Sequence, residues 1–160
     1  MKIETGSGFG ELLERGGIYY GLPGGPVQKI LETFINTIRI PDSITSRILL
    51  KAVMEREALM TTGIGNGIAV PHPRNPVITA PEEQFAAIGF LEHSADWKAL
   101  DGKPVNSLIL LVSASAQYHL KTLSIVSFFC QQDEFNKLLN EKAEGSKIID
   151  YIKNTEKNWK

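Results

Sequence analysis

His72 is held by its neighbours more tightly than most histidines. In GIGNGIAVPHPR, residues 63–74, it sits between two prolines, after three alternate glycines and an apolar triplet. Pro71 has a fixed φ, and Pro73 pushes the residue before it into extended backbone. A stiff backbone at a strand end suits a nucleophile or a ligand. Imidazole adds a pKa close to physiological pH. A lone histidine is ordinarily structural, so the neighbours have to make the case. Glycines let backbone N–H groups approach a bound group, which is how loops cradle phosphate. They also make tight turns, and glycine spacing alone favours the turn: GIGNG is not GxGxxG, and no lysine follows as in a P-loop.

The elements that must position His72 can be read outward from it. Residues 68–70, IAV, form a short strand running into Pro71. Upstream, residues 43–60 carry a helix capped by Asp42 or Ser43, with Ile44, Ile48, Ala52 and Val53 as its apolar side. An earlier helix has Pro26 at its first position. Its stripe is Val27, Ile30, Leu31, Phe34, Ile35 and Ile38, and Pro41 breaks it. Residues 1–25, rich in glycine, read as a loop with a short turn. Downstream, QFAAIGFLE (84–92) and SLILLVSAS (107–115) are strands joined through a DGKP turn, the second buried on both faces. A long helix covers roughly 118–140, with Leu120, Leu123, Val126, Cys130, Leu138 and Leu139 inward. A break ends at Gly145, and a short helix closes the chain. Alternating helices and strands predict a single-domain α/β fold, a mixed sheet flanked by helices.

Bulk properties narrow the function classes. The 160 residues suffice for one domain with a real core. With 17 basic against 18 acidic residues the net charge is -1, so nucleic acid is not an expected partner. The longest apolar run, LILLV at 108–112, is too short to span a bilayer, so no membrane insertion is expected. The single cysteine, Cys130, excludes a disulfide within the chain and reads as a core residue in a reducing compartment. The N-terminus lacks a basic-then-apolar signal pattern. A cytoplasmic protein is expected.

The residues around His72 also form a known pattern. EREALMTTGIGNGIAVPH (55–72) resembles the active-site signature of the fructose/mannitol-type (type-2) IIA proteins of the bacterial phosphoenolpyruvate-dependent sugar phosphotransferase system (PTS). TTGIGNGIAVPH is especially similar to the nitrogen-regulatory members. LEHSADWKALDGKPVNSLILLVSAS is similar to the family's two-strand segment with its D-x-x-P-V turn, and YHLKTLSIVSFF to its H-L-x-x-L-S helix start. The likeness covers residues 26–155, leaving 1–25 as an N-terminal extension. That extension looks like the lead-in of IIA-like domains joined to other modules. The fold implied is of the phosphotransferase/anion transport protein type, with the site at a sheet edge.

The resemblance implies that His72 accepts a phosphoryl group from HPr or its nitrogen-branch relative. The group then passes to a IIB domain or serves as a signal to regulatory targets. It also implies His119 as the second family histidine and Arg56 as the arginine of the E-R-E block. Phosphoryl transfer asks a protein for positioning and charge stabilisation. His119 at a helix start offers a donor and the positive helix end. Arg56 offers a planar fork to phosphate oxygens. Glu57 is read as orienting Arg56 or a backbone group. The N–H groups of Gly63, Gly65, Asn66 and Gly67 add to the cradle as a phosphate loop. If the pair exists, the two histidine rings lie within about 8 Å, the span of one phosphate and its hydrogen bonds. Neither a cofactor nor a metal is called for. His93 matches no family histidine and reads as a surface residue.

Pro73 departs from the family, which usually has glycine or another small residue there. It removes a backbone donor beside the phosphate and narrows His72 further. It favours a second reading, an interaction module that binds partners without taking phosphate. A third reading is a metal hydrolase using His72, His119 and a carboxylate; it lacks HExxH and CxxC. No fused IIB or membrane segment is read in the chain, which favours regulation over transport.

Overall fold

The structure, a computed structural model, describes residues 8–159. In chain order the elements are α1 (Phe9–Gly16), β1 (Ile18–Leu22), α2 (Val27–Thr37), α3 (Ser46–Leu59), β2 (Gly63–Gly65), β3 (Ile68–Ala69), a 3-10 turn (Pro81–Glu83), β4 (Phe85–Ala95), β5 (Val105–Val112), α4 (Ala116–Cys130), α5 (Asp133–Asn140) and α6 (Gly145–Lys157). The five strands make one mixed sheet in the order β1-β4-β5-β3-β2. β4 and β5 are antiparallel at its centre, with Ala87 opposite Leu110 and Ile88 opposite Ile109. β1 runs parallel to β4, and β3 parallel to β5.

Apolar residues on both faces of β4 and β5 demand cover on both sides. Ala87, Leu91, Leu108, Leu110 and Val112 pack with α2 and α3. Ala86, Ile88, Phe90, Ile109 and Leu111 pack with α1, α4, α5 and α6. Each large side chain so buried stabilises the fold by about 1.5–3 kcal/mol. The predicted single-domain α/β fold with a mixed sheet is the one observed.

Several local expectations need correction. The described part of 1–25 is not loop; residues 1–7 lie outside the described residues. α1 lies so close to β4 that a Cβ on Gly16 would come within 2.0 Å of the Ala86 carbonyl oxygen. Leu12 and Leu13 are buried there, and β1 is a sheet strand. Pro26 is the N-cap of α2 rather than its first residue. The cap of α3 is Thr45, not Asp42 or Ser43: its side chain accepts from the Ile48 N–H. Leu49 and Val53 form the buried face of α3, and Ile48 is exposed.

The helix expected over 118–140 is two helices. Phe129 and Phe135 both enter one aromatic cluster, with ring centroids 5.7 Å apart, and the break at Gln131–Gln132 lets them do so. Side-chain amides of Gln132 and Asn136 donate to the Phe128 and Cys130 carbonyls there. The inward face of α4 is Thr122, Ile125, Val126, Phe129 and Cys130, so Leu120 is exposed.

Candidate functional site

The backbone around His72 is fixed from three directions. The Val70 N–H donates to the Thr62 carbonyl at 2.9 Å, the Leu111 N–H of β5 donates to the Pro71 carbonyl at 3.1 Å, and the Arg74 N–H donates to the Ala52 carbonyl of α3 at 3.1 Å. His72 Nδ1 lies 2.8 Å from the Val70 carbonyl oxygen. A carbonyl only accepts, so Nδ1 carries the proton of the neutral ring and Nε2 keeps its lone pair.

His119 comes from the other side of the sheet edge. Ser115 caps α4, its side chain accepting from the Tyr118 N–H, and the His119 N–H bonds the Ser115 carbonyl. The His119 ring centroid lies 4.4 Å from that of His72, with 35° between the planes. That is well inside the 8 Å expected of a pair bridged by phosphate.

A pocket of about 150 Å³ opens over the two rings, room for one tetrahedral anion or a few waters. Arg56, Arg74, Asn75, Ser113 and Ser115 are among the residues that line its wall. Arg56 reaches it from the last turn of α3, where its Nη1 donates to the Met60 carbonyl. Burial lowers the pKa of His72; the Val70 carbonyl pulls it back up, and the nearby Arg56 charge depresses it again. Burial, then His72 and Arg56, push His119 down to about 4. Both rings are therefore neutral at pH 7, and Nε2 of His72 is left unprotonated, with the Arg56 charge nearby.

Glu57 does not line this pocket. Its carboxylate accepts from the Thr62 N–H at 2.8 Å and from the Thr62 hydroxyl at 2.6 Å, so it holds a backbone group rather than Arg56. Nor does the structure bring the glycine stretch to the pocket. Asn66 and Gly67, at φ 57° and 78°, form the two-residue turn of the β2–β3 hairpin, as an Asn-Gly pair with two positive φ angles does. The Gly63 N–H is bonded to Thr61 Oγ1 and the Asn66 N–H to Asp101 Oδ2. The structure thus places Gly63, Gly65, Asn66 and Gly67, read as a phosphate loop, in a hairpin outside the residues lining this pocket. His93 is exposed, as expected.

Four polar wall residues escaped the sequence reading. Arg74 and Asn75 directly follow PHP, and a polar residue so placed was the available signal. Ser113 and Ser115 stand between a buried strand and a helix start, which marks a cap but not a pocket. Buried Gln84 holds that serine turn, its Oε1 accepting from the Ala114 N–H at 2.8 Å. Among the described residues, no group of three His, Cys, Asp or Glu side chains is arranged to hold a metal.

The family model of the phosphoenolpyruvate-dependent sugar phosphotransferase system, EIIA 2, matches residues 13–155. The chain belongs to this family. A nitrogen regulatory protein of Pseudomonas aeruginosa is 32% identical over 117 residues, covering 71% of this chain and 73% of that protein. A PTS system fructose-specific EIIABC component of Bacillus subtilis is 27% identical over 150 residues. The match covers 92% of this chain and 23% of that longer relative. Among solved structures, nitrogen regulatory protein IIA-Ntr of Neisseria meningitidis superposes with a TM-score of 0.76 at 23% identity, over 89% of this chain and 97% of that one. One solved neighbour in fold is a complex of enzyme IIA-mannitol with phosphorylated enzyme IIB-mannitol from Escherichia coli. No helix among the described residues is long and apolar enough to cross a membrane.

Proposed function

We propose that this EIIA domain is a phosphocarrier and regulatory element whose His72 Nε2 takes a phosphoryl group from an HPr-like phosphohistidine protein, such as the nitrogen-branch carrier. The working unit is residues 26–155, with α1 and β1 of the preceding segment packed onto it, acting in the cytoplasm. The observation that carries the reading is the ring pair: Nδ1 of His72 is tied to the Val70 carbonyl, and His119 lies over the same pocket.

The Nε2 lone pair attacks phosphorus as the donor's P–N bond breaks, and the donor imidazole leaves with that electron pair. His72 keeps its Nδ1 proton on the Val70 carbonyl, so its ring gains the positive charge that the donor ring gives up. The arriving group carries close to two negative charges. A ring N–H of His119, the Arg56 fork and the serine hydroxyls offset them. The first N–H groups of α4 add the positive end of the helix. No cofactor takes part. The phosphoryl group then passes to a IIB domain or marks the state in which a regulatory target is bound.

Incubation with phosphoenolpyruvate, the first enzyme of the system and HPr, read by intact mass, tests this. The wild-type chain gains one phosphoryl group in an acid-labile, base-stable linkage, and His72→Ala gains none. A wild-type chain that binds the carrier yet gains no mass would be the interaction module that Pro73 favours.

A further inference from the structure

We infer that Thr62, with its hydroxyl set by Trp97 and Glu57, is a positioning residue that selects the reactive tautomer of His72. The inference rests on His72 being the phosphoryl acceptor. A neutral imidazole free in water prefers its proton on Nε2, which would cap the nucleophile. The Val70 carbonyl reverses that preference only while it sits 2.8 Å from Nδ1. Val70 is itself held at its other end, its N–H on the Thr62 carbonyl at 2.9 Å.

Every polar atom of Thr62 is engaged. Its N–H and hydroxyl both donate to Glu57, and its hydroxyl accepts from the Trp97 indole N–H at 3.2 Å. Trp97 is 1% exposed and Thr62 is 4% exposed, so neither bond is exchanged for water. The Thr61 hydroxyl also donates to the Trp97 carbonyl. Thr62 thereby joins three parts of the molecule: the end of α3 that carries Arg56, the β4–β5 connection that carries Trp97, and the strand that ends at His72. A shift of Thr62 moves the Val70 carbonyl, and with it the bond that decides which ring nitrogen is bare. Arg56 and Glu57 are neighbours on one helix, so the anion-binding fork and the tautomer anchor share a support.

The test reads imidazole ¹⁵N shifts of the unphosphorylated protein and the initial rate of phosphorylation by HPr, in Thr62→Val and Thr62→Ser. Thr62→Val keeps the shape and loses the hydroxyl; Thr62→Ser keeps the hydroxyl. Wild-type His72 should show the Nδ1–H tautomer alone. Thr62→Val should show a mixture with Nε2–H and a rate lower by about tenfold to a hundredfold, the scale of a 1 Å misplacement. Thr62→Ser should restore both. A fold-stabilising role alone would lower the melting temperature and leave the tautomer unchanged. A wild-type tautomer in Thr62→Val, or a shifted tautomer with an unchanged rate, overturns the inference. If Thr62→Val does not fold, Glu57→Gln is read by the same two measurements, and the same outcomes decide. If wild-type His72 takes no phosphate, the functional reading fails, and the tautomer measurement alone decides whether Thr62 positions the ring.

Discussion

Two short turns end near one edge of the sheet, and they do opposite things. The hairpin at Gly63–Gly67 has three glycines and an Asn-Gly corner, and the N–H groups of Gly63 and Asn66 are taken by Thr61 and Asp101. The turn at Ser113–Ser115 has no glycine. It is held from beneath by the buried Gln84 amide, caps α4, and lines the pocket over His72. Backbone freedom built the turn that closes on itself. The turn beside the pocket is the one without glycine, held by Gln84, which suits the proposed phosphoryl site because a dianion needs donors already in place. Changes on the serine side should therefore alter transfer rates, and changes on the glycine side should alter stability.

The largest effect on this contrast comes from His119. His119→Ala removes a hydrogen bond to a charged group, so phosphorylation of His72 should slow by the equivalent of ~1.5–3 kcal/mol. His119→Gln keeps a donor and should recover part of the rate. Equal rates in all three proteins would detach α4 from the site.

Gly67→Ala probes the other turn. At φ 78° an added Cβ meets strain, and it would stand 3.1 Å from Asn106 Oδ1. The unfolding free energy should fall by about 1–2 kcal/mol, with the phosphorylation rate unchanged. A slowed rate in a folded Gly67→Ala protein would return the glycine hairpin to the site.

Arg56 tests the rim of the pocket. Arg56→Lys keeps the charge and loses the planar fork, so its rate should fall between those of the wild type and Arg56→Ala. Unchanged rates in both would leave Arg56 as a helix-end charge on the Met60 carbonyl.

The smallest effect is on pH dependence. His72 and His119 both have folded pKa values below their unfolded ones, so the unfolded chain binds more protons as the pH falls. Their contribution to stability is complete above about 6.5 and is lost as the pH drops toward about 4. Denaturant midpoints should fall over that window, and less so in His119→Ala.

Much of this was legible in the sequence because its physics is local. The prolines around His72 announce a stiff strand end, and the continuous apolar run of β5 announces a strand covered on both faces. Asn66-Gly67 announced a hairpin as clearly as a phosphate loop; where its N–H groups went depended on Asp101, a partner 35 residues away. α1 was missed because its glycines looked like turn residues. Gly16 is there for a close approach to the Ala86 carbonyl, which no local pattern displays. The break between α4 and α5 serves a cluster built from Phe9, Phe129 and Phe135, and it too is visible only in three dimensions. Arg74 and Ser113 went unread because a pocket wall has no spacing of its own.

The central claim is that Nε2 of His72 is the nucleophile, since Nδ1 is held by the Val70 carbonyl. Its most direct test is ¹⁵N and ³¹P NMR of the protein phosphorylated through phosphoenolpyruvate, the first enzyme and HPr. The account predicts one phosphoramidate, on Nε2 of His72, with Nδ1 still protonated. Phosphate on Nδ1 of His72, or on His119, would contradict it.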